Sequence, residues 1–460
     1  MSTFISPLLR REARANLRLA LPIIATQLTF MGMGTVDTIM AGRLGADALA
    51  AVAVGANVWF LAFIVFQGIF MACSPIVAQR IGARREPDET GRFVRAAAVL
   101  AVGLGLLWTL ALRLAAAPIV DLLALDAPQA QAATAYIRVV ALAGVPFCLC
   151  FLARNVADAH GLVRVAMVAG LVGFVVNGVF DYLLMYGRGG FPALGPVGCA
   201  WASVLGGLAM AAVYGLLYRR LAPLRALRLF RRGWPQLRDV GLAEVPRLGV
   251  PIALIIAAES WLFNIGALLM ARFGGEVIAA HQIAINVAAL SFMVPLSIGF
   301  ATTVRVGHAA GARDAEAVRL RGRAGILLGV GFAVLSASVM ALFPELIVAA
   351  YTDAPSVTGT AVSFLYFAAL FQIFDCIQAA ANGALRGIKD TRVPMLITLG
   401  AYWFVGMPVA WALVFHTQQG PAGVWWGFIV ALALAAAGLG SRFVHRTRRG
   451  RTRSGSVLMS

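Results

Sequence analysis

The chain has 460 residues, of which 61% are hydrophobic and only 13% are charged, and its formal net charge is +18. A soluble domain is about half apolar and a quarter charged, so this composition excludes an ordinary soluble protein and indicates a bilayer as the solvent. The positive charge does not indicate a nucleic-acid partner, because the basic residues concentrate at the ends of the chain and in alternate loops.

Membrane-spanning helices need roughly 20 mainly apolar residues, and about twelve such stretches can be recognised. They are predicted at residues 18–42, 49–72, 93–118, 132–157, 164–187, 196–218, 247–271, 278–302, 322–347, 358–385, 393–415 and 421–441. Lys and Arg lie at the termini and after the even-numbered helices, except for Arg43, Arg113, Arg138, Arg188 and Arg272. This positive-inside bias predicts a multi-pass membrane protein with both termini in the cytoplasm.

The two halves of the chain resemble each other. Residues 18–23 align with 247–252 without a gap for most of the next two helices, and residues 195–201 align with 420–426. We therefore predict an all-α integral membrane protein of twelve transmembrane helices, in two six-helix bundles. Because six is even, both copies cross the membrane in the same direction, and the pseudo-twofold should run along the membrane normal.

The predicted domains follow from this duplication. They are an N-terminal bundle at 1–218, an Arg-rich cytoplasmic linker at 219–246, a C-terminal bundle at 247–441 and a basic cytoplasmic tail at 442–460. Two such bundles leave a cleft between them, and rocking of one against the other would expose a substrate to alternate sides.

Sequence motifs of catalysis are missing from the chain. It contains no Walker loop, HExxH or nucleophile elbow, so we expect no enzyme and no cofactor, and active transport would draw on an ion gradient or on a partner protein. Five cysteines lie in or beside apolar segments without a CxxC, which predicts packing roles and neither a disulfide framework nor a zinc site. They are Cys73, Cys148, Cys150, Cys199 and Cys376.

Four acids fall inside apolar segments, where a carboxylate costs at least a few kcal/mol and is a functional candidate by default. Glu259 and Asp375 both lie roughly 16–18 Å from the cytoplasmic ends of their helices, the latter measured from Arg386, at about 1.5 Å per residue. Asp37 and Asp181 both lie roughly 25–28 Å from theirs. Two depth-matched pairs predict two cation sites, in each of which one acid takes a proton or the pair shares Na⁺.

Asn177 lies one helical turn below Asp181 on the same face, where it can donate to a carboxylate or offer an oxygen to a metal ion. Structural alternatives remain open for the acids. Asp37 and Asp181 can reach water at the outer ends of their helices. Glu259 can form a purely structural hydrogen bond, and Asp375 can pair with Gln372 or Gln378.

Several segments resemble motifs of the MATE transporters, in particular the NorM-like branch. These are VDTIMAGRLG at 36–45, AQRIGA at 78–83, AES at 258–260, FQIFD at 371–375 and LRGIKD at 385–390. The resemblance spans essentially the whole chain. It implies a secondary active antiporter that exports amphipathic organic cations in exchange for Na⁺ or H⁺ by alternating access. We expect it to act as a monomer, surrounded by lipid, in a bacterial inner membrane.

The resemblance also implies site residues. It assigns one cation site, a Na⁺ candidate, to Glu259 and Asp375, and the other to Asp37, Asn177 and Asp181. Possible cleft-lining residues are Gln67, Ser203, Gln282, Phe292 and Phe371. Relatives carry Tyr where Phe292 and Phe371 stand, so a phenolic oxygen is in doubt there while a cation–π contact is not.

Two other functions stay open. A lipid-linked precursor flippase of the wider superfamily predicts a cleft rich in basic residues, whereas almost all Arg here lies in loops. A channel or sensor would show no stoichiometric counter-ion. The coupling ion and the substrate are not determined by these residues.

Overall fold

A computed structural model describes residues 7–123, 125–231, 240–417 and 419–449. Within these residues, 12 helices are long and apolar enough to cross a membrane, which confirms the all-α membrane architecture. In chain order they are α1 (Pro7–Leu44), α2 (Ala46–Gly82), α3 (Pro87–Asp121), α4 (Ala127–Ala159), α5 (Val163–Tyr186), α6 (Pro196–Arg220), α7 (Glu244–Ala271), α8 (Gly275–Gly311), α9 (Ala315–Leu342), α10 (Pro355–Gly387), α11 (Arg392–His416) and α12 (Ala422–Arg448). Residues 1–6, part of the predicted linker (232–239) and most of the predicted tail (450–460) lie outside the described residues.

Among the described residues, three spans depart from continuous α-helical geometry, the first being α2, which a turn at Ala72 interrupts. A 3₁₀ turn at Ala141–Ala143 interrupts α4, and a π-helix at Gly400–Gly406 interrupts α11. Wide turns of the π type are frequent at functional sites because they redirect the side chains that they carry. The π-helix carries Tyr402, which lies in an acidic cluster described below.

The two halves of the chain share positive backbone φ angles at equivalent positions. Positive φ occurs at paired positions, namely Gly45 and Gly274, Arg84 and Arg313, Gly161 and Lys389, and Gly195 and Gly420. Left-handed φ disfavours any residue with a Cβ, yet Arg84 and Arg313 both adopt it, at 53° and 58°. The same strained turn therefore follows the second helix of each half, as a true structural repeat requires.

Packing divides the chain into two compact units. Unit 1 contains the chain up to Ile24, Ala78–Arg84 and the chain from Leu254 onward, and unit 2 contains Ala25–Val77 and Arg85–Ala253. The units follow the two halves of the sequence except for short exchanged segments. The beginning of α1 and the end of α2 pack in unit 1, and the beginning of α7 packs in unit 2.

Polar contacts hold the exchanged segments in unit 1. Glu12 pairs with Arg305 and also lies 3.5 Å from Arg321. The Asn16 amide donates to the Thr302 hydroxyl at 2.8 Å, and the Gln79 amide donates to the Gly387 carbonyl at 2.9 Å. These bonds join the first turns of α1 and the end of α2 to α8, α9 and α10.

Aromatic side chains fill the apolar interior of each unit. In unit 2, Trp59 stacks on Trp108 with ring centroids 4.3 Å apart. In unit 1, the fully buried Trp425 lies 5.9 Å from the ring of Phe428 and 6.2 Å from that of Phe371. Such rings contribute van der Waals contact, which is what holds helices together where lipid removes most of the hydrophobic driving force.

Candidate functional site

Unit 2 contains a cluster of two acids and a thiol. One ligand atom from each of Asp37 on α1, Asp181 on α5 and Cys199 on α6 lies within 4.8 Å of the other two. Asn177, one turn before Asp181, lies beside the Asp37 carboxyl. The structure thus brings together the three residues predicted for this site and adds Cys199, which was assigned only to packing.

Local sequence explains how α6 reaches the cluster. Gly195 has φ 56° and Pro196 starts α6, so Cys199 lies in the first turn of the helix. Gly198 touches the backbone of α5, and a Cβ at that position would lie 2.6 Å from the Leu184 carbonyl carbon. Only glycine allows this approach, which carries the Cys199 thiol to Asp181.

Two tyrosines support the cluster. The Tyr186 hydroxyl donates to the Met40 carbonyl at 2.8 Å and so joins α5 to α1 near both acids. Tyr136 of α4 is 2% exposed and its side chain faces Cys199, Asp37 and Asp181. The acids are therefore held by helices that are themselves joined through hydrogen bonds and packing.

Several polar atoms of the cluster are buried and have no hydrogen-bond partner among the described residues. Asn177, Asp181 and Cys199 are fully buried, and Asp37 is partly buried. Both oxygens of Asp181, both amide atoms of Asn177 and Oδ1 of Asp37 make no hydrogen bond within the part of the chain that the structure describes. The alternative that Asp181 reaches water is therefore wrong. A cation or a proton would satisfy these oxygens, because unpaired buried carboxylates are costly.

Unit 1 contains the second predicted pair. Asp375 on α10 is 2% exposed, its Oδ1 has no hydrogen-bond partner among the described residues, and it interacts electrostatically with Glu259 on α7. Arg386, also on α10 and 8% exposed, acts on Glu259 as an opposite charge. The sequence had suggested Arg386 only as a mark of the cytoplasmic end of its helix.

The glutamines beside Asp375 have other partners. The Tyr402 hydroxyl donates to Oε1 of Gln378 at 2.6 Å, and Nε2 of Gln372 donates to Sγ of Cys376 at 3.5 Å. The Tyr402 side chain also faces Glu259 and Asp375. Neither glutamine hydrogen-bonds to Asp375 among the described residues, so the alternative in which Asp375 pairs with Gln372 or Gln378 is not supported.

The possible cleft-lining residues occupy different environments. Phe371 is 3% exposed and lies 5.7 Å from the ring of Phe263, inside unit 1. Gln282 is exposed, whereas Gln67 and Phe292 are partly buried. Ser203, also partly buried, lies one turn beyond Cys199 on α6. A role for these five in binding substrate stays a prediction.

Four residues of the two clusters were missed as site residues from the sequence. They are Tyr136, Cys199, Arg386 and Tyr402. One signal was available for Cys199, because the preceding Gly-Pro-x-Gly pattern indicates a helix start in close contact with a neighbour. No comparable pattern marks Tyr136 or Tyr402.

Comparison with known proteins identifies the family. The chain matches the MatE family over residues 22–183 and 251–412, once in each half. It is 38% identical over 448 residues to the multidrug resistance protein PmpM of Pseudomonas aeruginosa, covering 96% of this chain and 93% of the relative. It is 36% identical over 460 residues to the multidrug resistance protein NorM of Vibrio vulnificus, covering 95% and 96%.

Solved structures share the fold. A MATE crystal structure in the bent conformation superposes with a TM-score of 0.86 at 20% identity, covering 97% of this chain and 99% of the other. The eukaryotic MATE transporter AtDTX14 gives a TM-score of 0.82 at 21% identity, again covering 97% and 99%. The family resemblance drawn from the motifs is confirmed, and the chain belongs to the MatE family.

Proposed function

We propose that this protein is a secondary active multidrug efflux antiporter of a bacterial inner membrane. It exports amphipathic organic cations in exchange for Na⁺ or H⁺. The observation that carries the proposal is the unit 2 cluster, in which Asp37 and Asp181 face each other with unpaired oxygens inside the protein. Membership in a family whose relatives are named multidrug resistance proteins supports the same function.

Each acidic cluster offers a site at which a small cation competes with a bulky one. Two facing carboxylates in a low-dielectric interior take up a proton or a Na⁺ because both cannot stay ionised without compensation. A carboxylate neutralised in this way attracts an organic cation less strongly. Loading from outside therefore favours release of the organic cation, and the conformational equilibrium shifts by the difference in affinity between the two states.

The two clusters suggest a division of labour. In unit 1, the acids lie with aromatic side chains close by, since Phe371 precedes Asp375 by one turn and packs on Phe263. Aromatic rings and carboxylates together suit an amphipathic organic cation. The unit 2 cluster, with its small polar groups, suits a proton or a metal ion.

The flippase alternative is disfavoured by charge. A phosphate-bearing lipid precursor needs positive groups at its site, whereas both clusters are acidic and the nearby Arg386 already acts on Glu259. A channel or sensor would not couple a fixed number of ions to each substrate molecule, so stoichiometric exchange distinguishes a transporter from both.

Transport of a fluorescent organic cation into everted membrane vesicles tests the proposal. A proton gradient and a sodium gradient, imposed separately, should show which ion drives accumulation. Neutralisation by Glu259→Gln or Asp375→Asn should reduce gradient-driven transport by at least about tenfold, the size of one lost charge interaction of about 1.4 kcal/mol.

Glu345→Gln serves as the matched control, because Glu345 is an exposed acid of the same unit that lies outside the cluster. This control should transport at the wild-type rate. Undiminished transport by both neutralised variants would contradict the proposed role of the unit 1 acids in binding the organic cation, and uptake driven by neither gradient would contradict the proposed ion coupling.

A further inference from the structure

The donor atoms of the unit 2 cluster are not all of one chemical kind. Asp37 and Asp181 supply oxygen, and Cys199 supplies sulfur. No other set of three Cys, His, Asp or Glu side chains in the described part of the chain comes together in this way. A thiolate is a soft ligand that prefers zinc and similar metals, whereas Na⁺, Mg²⁺ and Ca²⁺ prefer oxygen.

A second observation points to a ligand at the same place. Both oxygens of the fully buried Asp181 lack hydrogen-bond partners among the described residues, and so do both amide atoms of the fully buried Asn177. Asn177 lies on the same face of α5 as Asp181, so its amide oxygen is available as a fourth donor. Four donors on three helices therefore converge in the protein interior.

The geometry suits a four-coordinate metal. Zinc binds thiolate sulfur at about 2.3 Å and carboxylate oxygen at about 2.0–2.2 Å, which implies donor separations of about 3.4–3.8 Å in a tetrahedron. The donors of Asp37, Asp181 and Cys199 lie within 4.8 Å of one another, so their separations exceed the tetrahedral values by at most about 1.4 Å.

Charge also suits a divalent ion. One thiolate and one carboxylate balance a 2+ ion, and the second carboxyl can keep its proton. As the S–Zn bond forms, the thiol proton leaves to water and no group changes its oxidation state.

We propose that Asp37, Asp181 and Cys199, with Asn177 as the fourth donor, form a binding site for a thiophilic divalent cation such as Zn²⁺ or Cd²⁺, and that the bound metal blocks exchange. The metal holds α1, α5 and α6 together and occupies the two carboxylates. The blocking effect rests on the proposed function, because it requires that the coupling cation use these same acids. Metal binding itself does not.

Binding is tested first, on the purified full-length protein in detergent and without any transport measurement. Calorimetric titration with ZnCl₂ should show that each protein molecule binds one Zn²⁺ ion tightly. Addition of CdCl₂ should produce the charge-transfer absorbance of a Cd–thiolate bond. MgCl₂ should bind no tighter than background. Cys199→Ser should lose the absorbance band and weaken Zn²⁺ binding by on the order of 10–100-fold.

Cys148→Ser is the matched control, because Cys148 is another buried cysteine of unit 2 outside the cluster. It should bind like the wild type. Asp181→Asn is a second disrupting variant, useful if Cys199→Ser is not monodisperse by size exclusion. Wild-type affinity in both disrupting variants, or loss of binding in Cys148→Ser, overturns the proposal.

Inhibition is tested second, as the ratio of each protein's transport with Zn²⁺ to its own metal-free rate. Wild type and Cys148→Ser should be inhibited at the concentration that fills the site, and Cys199→Ser should need on the order of 10–100-fold more Zn²⁺. Equal inhibition of all three overturns the blocking role. If metal binding persists but no ion gradient drives transport, the proposed function fails and the metal site stands. If coupled transport persists without metal binding, the metal site alone fails.

Discussion

The acidic clusters of the two units differ in the charge around them. In unit 1, Arg386 acts on Glu259 as an opposite charge, and Tyr402 is fixed nearby by its bond to Gln378. In unit 2, the groups that act on Asp37 and Asp181 are each other, Asn177 and Cys199, none of which is a cation. The unit 1 pair is partly compensated within the protein, and the unit 2 pair is not.

The presence of a compensating cation in one cluster, and its absence from the other, indicates which ligand each cluster requires. A compensated acid can stay ionised without a bound ligand, which leaves it available to an organic cation. An uncompensated pair in low dielectric must carry a proton or an ion to persist. Asp158 of unit 2 shows the usual structural solution, since it is nearly buried but lies 3.7 Å from Arg154.

The largest effect is expected from Gly198→Ala in unit 2. The new Cβ meets the Leu184 backbone at 2.6 Å, so α5 and α6 must separate. We expect a loss of about 1–3 kcal/mol of stability, a lower thermal midpoint by tryptophan fluorescence, and weaker Zn²⁺ binding as Cys199 leaves Asp181. Gly215→Ala on the same helix meets nothing within 4 Å and should be neutral or slightly stabilising. Equal midpoints for the two variants would show that the close approach is unimportant.

The charge contrast itself is tested by Arg386→Met in unit 1. Removing the cation leaves Glu259 and Asp375 with less compensation, and the stability should fall. In a Glu259→Gln background the same change should cost less, with a coupling energy of about 0.5–3 kcal/mol in a double-mutant cycle. Arg392→Met, at an exposed arginine that starts α11, is the control and should show no coupling to Glu259. A coupling near zero would remove the distinction between the units.

Tyr402→Phe tests whether the π-helix of α11 supports the unit 1 acids. Loss of the hydroxyl leaves Oε1 of Gln378 without its 2.6 Å hydrogen bond inside the protein. Leaving one buried acceptor unpaired should lower stability by about 1–2 kcal/mol, measured by thermal unfolding. Tyr366→Phe, at a tyrosine that is 51% exposed on α10, should change the midpoint little. Identical behaviour of the two variants would mean that the Tyr402 bond contributes nothing.

The smallest and most discriminating effect is expected from Asp181→Asn. Because no cation compensates the unit 2 pair, burial of Asp181 beside Asp37 requires proton uptake, which costs free energy at pH 8; an amide needs no proton and should raise stability by up to about 1 kcal/mol. The thermal midpoint at pH 8 measures this gain, while gradient-driven transport should fall. Asp121→Asn, at an exposed acid of the same unit, should leave both unchanged. A destabilised Asp181→Asn variant would mean that the acid has an internal partner and that the two clusters are alike.

The amino-acid sequence was sufficient to predict the number of helices and the depths of the buried acids along them. Apolar length predicted twelve spans, and the duplication predicted two six-helix halves, whose equivalence the structure shows in the matching turns at Arg84 and Arg313. Depth along a helix depends only on the rise per residue, so Asp37 and Asp181 were matched without knowledge of packing. Helical periodicity placed Asn177 on the same face as Asp181 in the same way.

The contacts between side chains of different helices could be seen only in the folded structure. Cys199 joins the unit 2 acids because Gly198 lets α6 touch α5, and Arg386 faces Glu259 because of how α10 packs on its neighbours. Periodicity and rise are local properties of one helix, which is why the sequence contains them. The crossing of two helices depends on the side chains of both, so the local pattern of one helix does not specify that contact.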